Sequence, residues 1–191
     1  VIIGAMVIAP LLGPNVAMSL GTTLGDMDLL RRAAATSLAG ILAAFGFAVL
    51  VGLVFTVNAD IPAIASRTEV GFGDILLALA AGSAGTLAYT RGLAGAVIGV
   101  MVAVALVPPL VVCGMLLGAG HTASAFGALL LTAANVICVN LAGVAIFLLQ
   151  GVRPRSWWEA ERAKKATQKA MLLWAALLAV LVLILWLNQQ L

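Results

Sequence analysis

The sequence predicts an all-α protein, a polytopic bundle of transmembrane helices, on three observations. Hydrophobic residues make up 64% of the 191 and charged residues 9%, with mean hydropathy +1.20, so a water-facing polar surface cannot cover the chain. Apolar stretches long enough to cross a bilayer recur along its whole length, whereas a secretory leader accounts for one stretch of about 7 to 15 residues. Lysines and arginines fall in alternate loops, as the sidedness of membrane insertion requires.

Six spans follow from the charges and turn residues, at roughly 1–24, 33–56, 74–90, 93–118, 123–150 and 169–188. Each approaches or exceeds the roughly 20 residues that cross a hydrocarbon layer of about 30 Å. The first, VIIGAMVIAPLLGPNV, carries Pro10 and Pro14; the loop charges place Val1 on the outer face, and because multispan proteins more often begin inside, a further spanning helix is expected upstream. The third, with LLALAAGSAGTLAYT, is rich in small residues that suit close packing inside a bundle. The fourth carries Pro108 and Pro109, and the fifth carries Asn135 and Asn140. Between the fifth and sixth, RPRSWWEAERAKKATQKA (residues 155–168 at its core) reads as an interfacial basic helix: Ser156 with Glu159 resembles a capping box, and Trp157 and Trp158 suit the headgroup zone. It is expected to lie on anionic lipid and feed the final helix, 169–191.

The loops after the first, third and fifth spans hold Arg31, Arg32, Arg91, Arg153, Arg155, Arg162, Lys164, Lys165 and Lys169, and those after the second and fourth hold only Arg67. The basic side is therefore expected to be cytoplasmic, in a multi-pass protein of the plasma (cell inner) membrane.

A repeat is present at a spacing of 95 residues. Gly4, Met6, Val7, Leu11, Pro14 and Val16 align without a gap on Gly99, Met101, Val102, Leu106, Pro109 and Val111, and Gly25 aligns on Gly120. The repeats cover about 4–67 and 99–162, within a core of residues 1–154. Because three spans separate the partners, the two copies enter the membrane from opposite sides. Inverted repeats with discontinuous helices and a midplane site are a recurring transporter architecture.

Proline removes a backbone donor and clashes with the carbonyl four residues back, so the first and fourth helices are expected to be broken, with the breaks facing inward. The half-helix starting at Pro14 would aim free amides and a positive dipole end at a cavity, followed by Asn15, Ser19, Thr22 and Thr23. Asn135 and Asn140 are five residues apart and are expected to share a face. Pro10, Pro14, Asn15, Ser19, Thr22, Pro108, Pro109, Asn135 and Asn140 are thus the candidate substrate-binding residues. The plainer reading is that the prolines are kinks and the polar side chains join helices. The pairs Gly21/Gly25, Gly95/Gly99 and Gly114/Gly118 suggest close helix packing.

No span interior holds Asp, Glu, Lys or Arg, which argues against a buried proton relay and makes a passive or anion-selective route more natural. Asp26 and Asp74, at helix ends, could line a cavity mouth. The chain has no phosphate loop, nucleophile elbow or zinc spacing, so no catalytic residue, metal, cofactor or nucleic-acid partner is expected.

The stretches VIIGAMVIAPLLGPNVAMSLGTTLGD, RTEVGFGDILLALAAGSAGTLAYTRG, VALVPPL and the one ending IFLLQGVRP resemble the domain of unknown function 389 family of uncharacterised bacterial and archaeal membrane proteins. The resemblance covers about residues 1–154 and implies a compact multispan module, commonly with a further apolar helix before the GAM motif. It brings no activity, substrate or cofactor, so the four prolines transfer only as positions that match the pattern. The loop GAGHTASA departs from it where a charged residue is frequent. Two functions are expected on these grounds: a transporter or channel for a small solute or ion, or a noncatalytic membrane subunit or scaffold that associates with itself or a larger complex through glycine-rich faces.

Overall fold

The computed structural model describes the backbone of residues 12–92, 95–152 and 157–188, and the side chains of 13–92, 106–152, 165, 167–169, 171–184 and 186. Within these the chain is helical: α1 (Leu12–Leu24), α2 (Met27–Val54), the short α3 (Pro62–Ala65), α4 (Phe72–Thr90), α5 (Gly95–Gly118), α6 (Thr122–Leu149) and α7 (Trp157–Asn188). Among the described residues four stretches are long and apolar enough to cross a membrane: α2, α4, α6 and Thr167–Ile184 of α7. The first span expected at 1–24 is described only from Leu12, so Pro10, the start of the first repeat and any break near it lie outside the described residues.

Local chemistry sets the helix ends. Gly25 (φ 66°) closes α1, with the Asp26 amide donating to the Gly21 carbonyl at 2.9 Å, a turn that only a residue without Cβ enters cheaply. Asp26 then caps α2, its carboxylate accepting from the amides of Asp28 (3.0 Å) and Leu29 (2.9 Å). The second helix therefore starts at Met27, six residues before the expected boundary, and takes Arg31 and Arg32 into its exposed first turns. Asp74 accepts from the Gly71 amide at 2.9 Å at the start of α4. Both carboxylates expected to line a cavity mouth thus serve as helix caps.

One expected interruption is absent. Helix α5 runs unbroken from Gly95 to Gly118 with Pro108 and Pro109 inside it. Both prolines are fully buried, and the surrounding close packing holds the helix through them. Helix α7 runs from Trp157 to Asn188, continuous from the basic segment into the final span. No Gly or Pro occurs after Pro154, and Ala, Glu, Lys and Leu propagate a helix readily.

Helix α6 is the hub, packing against α1, α4, α5 and α7, while α2 packs against α1 and α5. Of the apolar stretch of α6, 61% is buried, against 17% for α2, where Leu38, Leu42, Phe47 and Leu50 are exposed. Apolar tails offer helices no hydrophobic incentive to associate, so contact depends on close backbone approach. Glycines provide it. A Cβ on Gly52 or Gly118 would strike the backbone of Met115 or Val49 across the α2–α5 interface, and one on Gly114 would lie 2.7 Å from the Ala48 Cβ. Gly82 of α4 approaches the Val139 Cα of α6 in the same way, at 2.8 Å for an added Cβ. Gly114 and Gly118 are therefore packing positions as expected; Gly25 instead is a helix terminator, and the side-chain surroundings of Gly95 and Gly99 lie outside the described residues.

Candidate functional site

Asn15, Ser19, Thr22 and Thr23 recur at intervals of four, three and one residues, which puts them along one face of α1. That face is buried, with exposures of 3, 3, 4 and 3%. It turns toward α6, where Asn140 (1% exposed) meets it. The Asn140 Nδ2 donates to Asn15 Oδ1 at 3.1 Å and to the Val136 carbonyl of its own helix at 2.9 Å. The Ser19 hydroxyl donates toward the Asn140 carbonyl and its Oδ1, both at 3.4 Å. Asn140 stands nine residues before the end of α6, about 14 Å of helical rise from it.

Glycine and threonine complete the surroundings. Gly143, one turn beyond Asn140, makes room for Ser19: a Cβ there would lie 2.9 Å from the Ser19 Cβ and 3.2 Å from the Thr86 Oγ1 of α4. Thr86 is 4% exposed and its hydroxyl donates to the Gly82 carbonyl at 2.9 Å. Asn15, Ser19, Gly82, Gly85 and Thr86, with Val16 and Val139, enclose a void of about 10 Å³. Such a volume admits about one water molecule. Toward the basic end of α1, Thr23 donates to the Ser19 carbonyl at 2.8 Å, and Thr167 of α7 donates to the carbonyls of Thr22 (2.9 Å) and Thr23 (3.1 Å), covering the end of α1. A polar seam thus runs from the basic end of the bundle to the void.

The structure brings Asn15, Ser19 and Asn140 together, with Thr22 and Thr23 behind them. Asn135 is buried as well, at 6% exposure, but five residues turn an α-helix by about 140°, so it does not share a face with Asn140. Pro14 lies within α1, and Pro108 and Pro109 lie inside α5 and not among the residues around the void. Among the described residues this cluster therefore lies between α1, α4 and α6, while most of the first and fourth spans expected to flank a site lies outside the described side chains. Thr86, Gly143 and Thr167 are its residues that sequence reasoning missed. The small-residue richness of the third span carried a signal for Thr86, whereas Thr167 sits in a stretch whose charges drew attention outward. At the far end of the bundle Thr56, Asn58, Asp60 and His121 border a wide hollow of about 480 Å³, open to solvent. Cys113 and Cys138 are buried free thiols in separate apolar clusters.

Comparison with known proteins adds a family without an activity. The family described as "Domain of unknown function (DUF389)" matches residues 6–141. A protein of Methanocaldococcus jannaschii named "Uncharacterized protein MJ0678" is 40% identical over 186 residues, which are 97% of this chain and 58% of that protein. The chain thus spans a little over half the length of the curated relative it matches. No solved structure matches.

Proposed function

The chain belongs to the DUF389 family, whose name carries no chemistry, and from its own geometry we propose that it is a plasma-membrane transporter or channel for a small polar solute or ion, here in a closed state. The conducting site is the seam of Asn15, Ser19, Thr86 and Asn140.

One observation carries this reading: the protein contains its own comparison. Helices α2 (Met27–Val54) and α6 (Thr122–Leu149) have the same length and lie 95 residues apart at both ends. The glycines that close α1 and α5, Gly25 and Gly120, both take positive φ (66° and 85°) at the same offset. Contacts repeat too, since Gly143 meets Ser19 on α1 as Ala48 meets Gly114 on α5. These matches support the inverted repeat. Under it Asn15, Ser19 and Asn140 correspond to Leu110, Gly114 and Phe45, all apolar or small. The α2–α5 interface thus holds together without a polar group at these positions, so helix adhesion does not require the asparagines and serine opposite. Buried polar groups are costly in a membrane unless partnered and tend to mark a pathway. Arg31, Arg32 and Arg91 lie exposed at one end, which supports a cytoplasmic location for it, with anionic lipid along the basic start of α7.

The small volume of the void favours a second reading, a noncatalytic scaffold in which the cluster only orients helices. Cysteine accessibility separates the two. In a chain lacking Cys113 and Cys138, Asn15→Cys in proteoliposomes is expected to react with a membrane-impermeant thiol reagent, faster from the basic side. Inertness from both sides in every lipid tried, with the reagent reacting freely after denaturation, would establish the scaffold instead.

A further inference from the structure

Helices α1, α4 and α6 run past the seam in the same direction. Asn15 bonds to Asn140 and Ser19 stands against Gly143, so a turn along α1 is matched by a turn along α6. On α4, Gly82 lies against Val139 and Thr86 against Gly143, and the Thr90 hydroxyl accepts from the Gln150 Nε2 at 2.9 Å. One turn on from Ser19 and Gly143, this register brings Thr23 level with Phe147. Phe147 follows Asn140 by seven residues, two turns of helix, and so shares the face that carries Asn140 and Gly143. It is 2% exposed and among the largest fully buried side chains of the protein. The ring therefore stands between the void and the basic end, and beyond it the exposed Gln150–Thr90 bond joins the ends of α6 and α4.

The repeat-related position is built the opposite way. At the offset of 95 residues Phe147 corresponds to Gly52, where an added Cβ would strike the Met115 backbone of α5, and Thr23 corresponds to Gly118, which meets the Val49 backbone as closely. There the helix backbones touch, and opening the interface means separating two whole helices. At Phe147 one side chain fills the space, and side-chain rotation is smaller and quicker than a shift of packed helices. Taking the seam as the conducting site, as proposed above, we propose that Phe147 is its gate on the basic side. The Gln150–Thr90 bond is the latch of that gate, and the α2–α5 interface is a fixed wall.

The test extends the thiol assay. In the chain lacking Cys113 and Cys138 and carrying Asn15→Cys, in proteoliposomes, Phe147→Ala leaves a cavity where the ring stood and should raise the labelling rate from the basic side about tenfold. The rate from the opposite side should stay unchanged, and Phe147→Leu, which keeps most of the bulk, should raise the basic-side rate less than about threefold. Equal rates with and without Phe147→Ala, or a rise from both sides alike, overturn the gate. Should Phe147→Ala not fold, Gln150→Ala at its exposed position decides: loss of the latch bond should raise the basic-side rate alone by about threefold, and no change overturns the gate. Osmotic swelling in potassium chloride, sodium phosphate and urea separates this from the transport reading. Swelling with labelling indifferent to Phe147 and Gln150 keeps that reading and ends the gate, whereas a one-sided rise in labelling without swelling in any of the three counts against that reading and keeps Phe147 as the plug.

Discussion

The contact most specific to the site is the amide pair across α1 and α6, and a double-mutant cycle measures it. Asn15→Ala removes the acceptor of the 3.1 Å bond and leaves one N–H of Asn140 buried without its partner; Asn140→Ala removes the donor and one of the two carbonyl oxygens that Ser19 faces. Each single change is expected to cost about 1–3 kcal/mol, the cost of stranding a buried polar group. The pairwise coupling is smaller. Interhelical hydrogen bonds in membranes average about 0.6 kcal/mol and reach roughly 1.7, and this one is neutral, buried and of ordinary length, so about 1 kcal/mol is expected. That is about a fivefold effect on the folding equilibrium. The assay is reversible unfolding of the wild type, both singles and the double variant in mixed micelles of increasing denaturing detergent. Additive losses, with coupling below about 0.3 kcal/mol, would mean that the two amides do not touch and would remove the geometric basis of the site.

Four further outcomes follow from the packing. Gly52→Ala should destabilise by about 1–3 kcal/mol, since the new methyl meets the Met115 backbone, whereas Gly46→Ala, with open space around it, should gain up to about 1 kcal/mol from helix propensity; thermal midpoints of the two variants should move in opposite directions. Gly143→Ala should displace Ser19 and slow any flux through the seam, while the equivalent enlargement Ala48→Ser, away from the seam, should lower stability without a selective effect on transport. Thr167→Val should cost about 1 kcal/mol and raise amide exchange at Gly25 and Asp26, where the end of α1 loses a cover, as read by mass-detected hydrogen exchange. Cys113 and Cys138 should resist maleimide in the folded protein and react fully once it is unfolded, because both are buried.

Most of the helical framework was legible because its signals are local. Runs of apolar residues, Asp26 before α2 and Gly25 or Gly120 at helix ends specify boundaries within a few residues. The site was legible in part for the same reason: a face of Asn15, Ser19 and Thr23 is a spacing, and burial follows from its length in lipid. Partners across helices were not legible. That Thr86 and Gly143 close around Ser19 depends on which helices become neighbours, and the 3.6-residue period does not encode that. Proline misled for a related reason. Its local chemistry argues for a break in α5, but tight packing around Pro108 and Pro109 kept the helix whole, so the side chains expected to open a cavity fill one instead.

Helix α7 is unbroken for 32 residues, and Thr167 lies ten residues along it. At 1.5 Å per residue the hydroxyl stands about 15 Å from the start of a stiff rod, so a 10° lean about that start carries it about 2.6 Å sideways. A hydrogen bond tolerates only a few tenths of an ångström beyond its 2.9 Å rest length. Thinning or thickening of the surrounding lipid, which helices answer by leaning, therefore acts as a crowbar on the end of α1 and through it on the asparagine pair above.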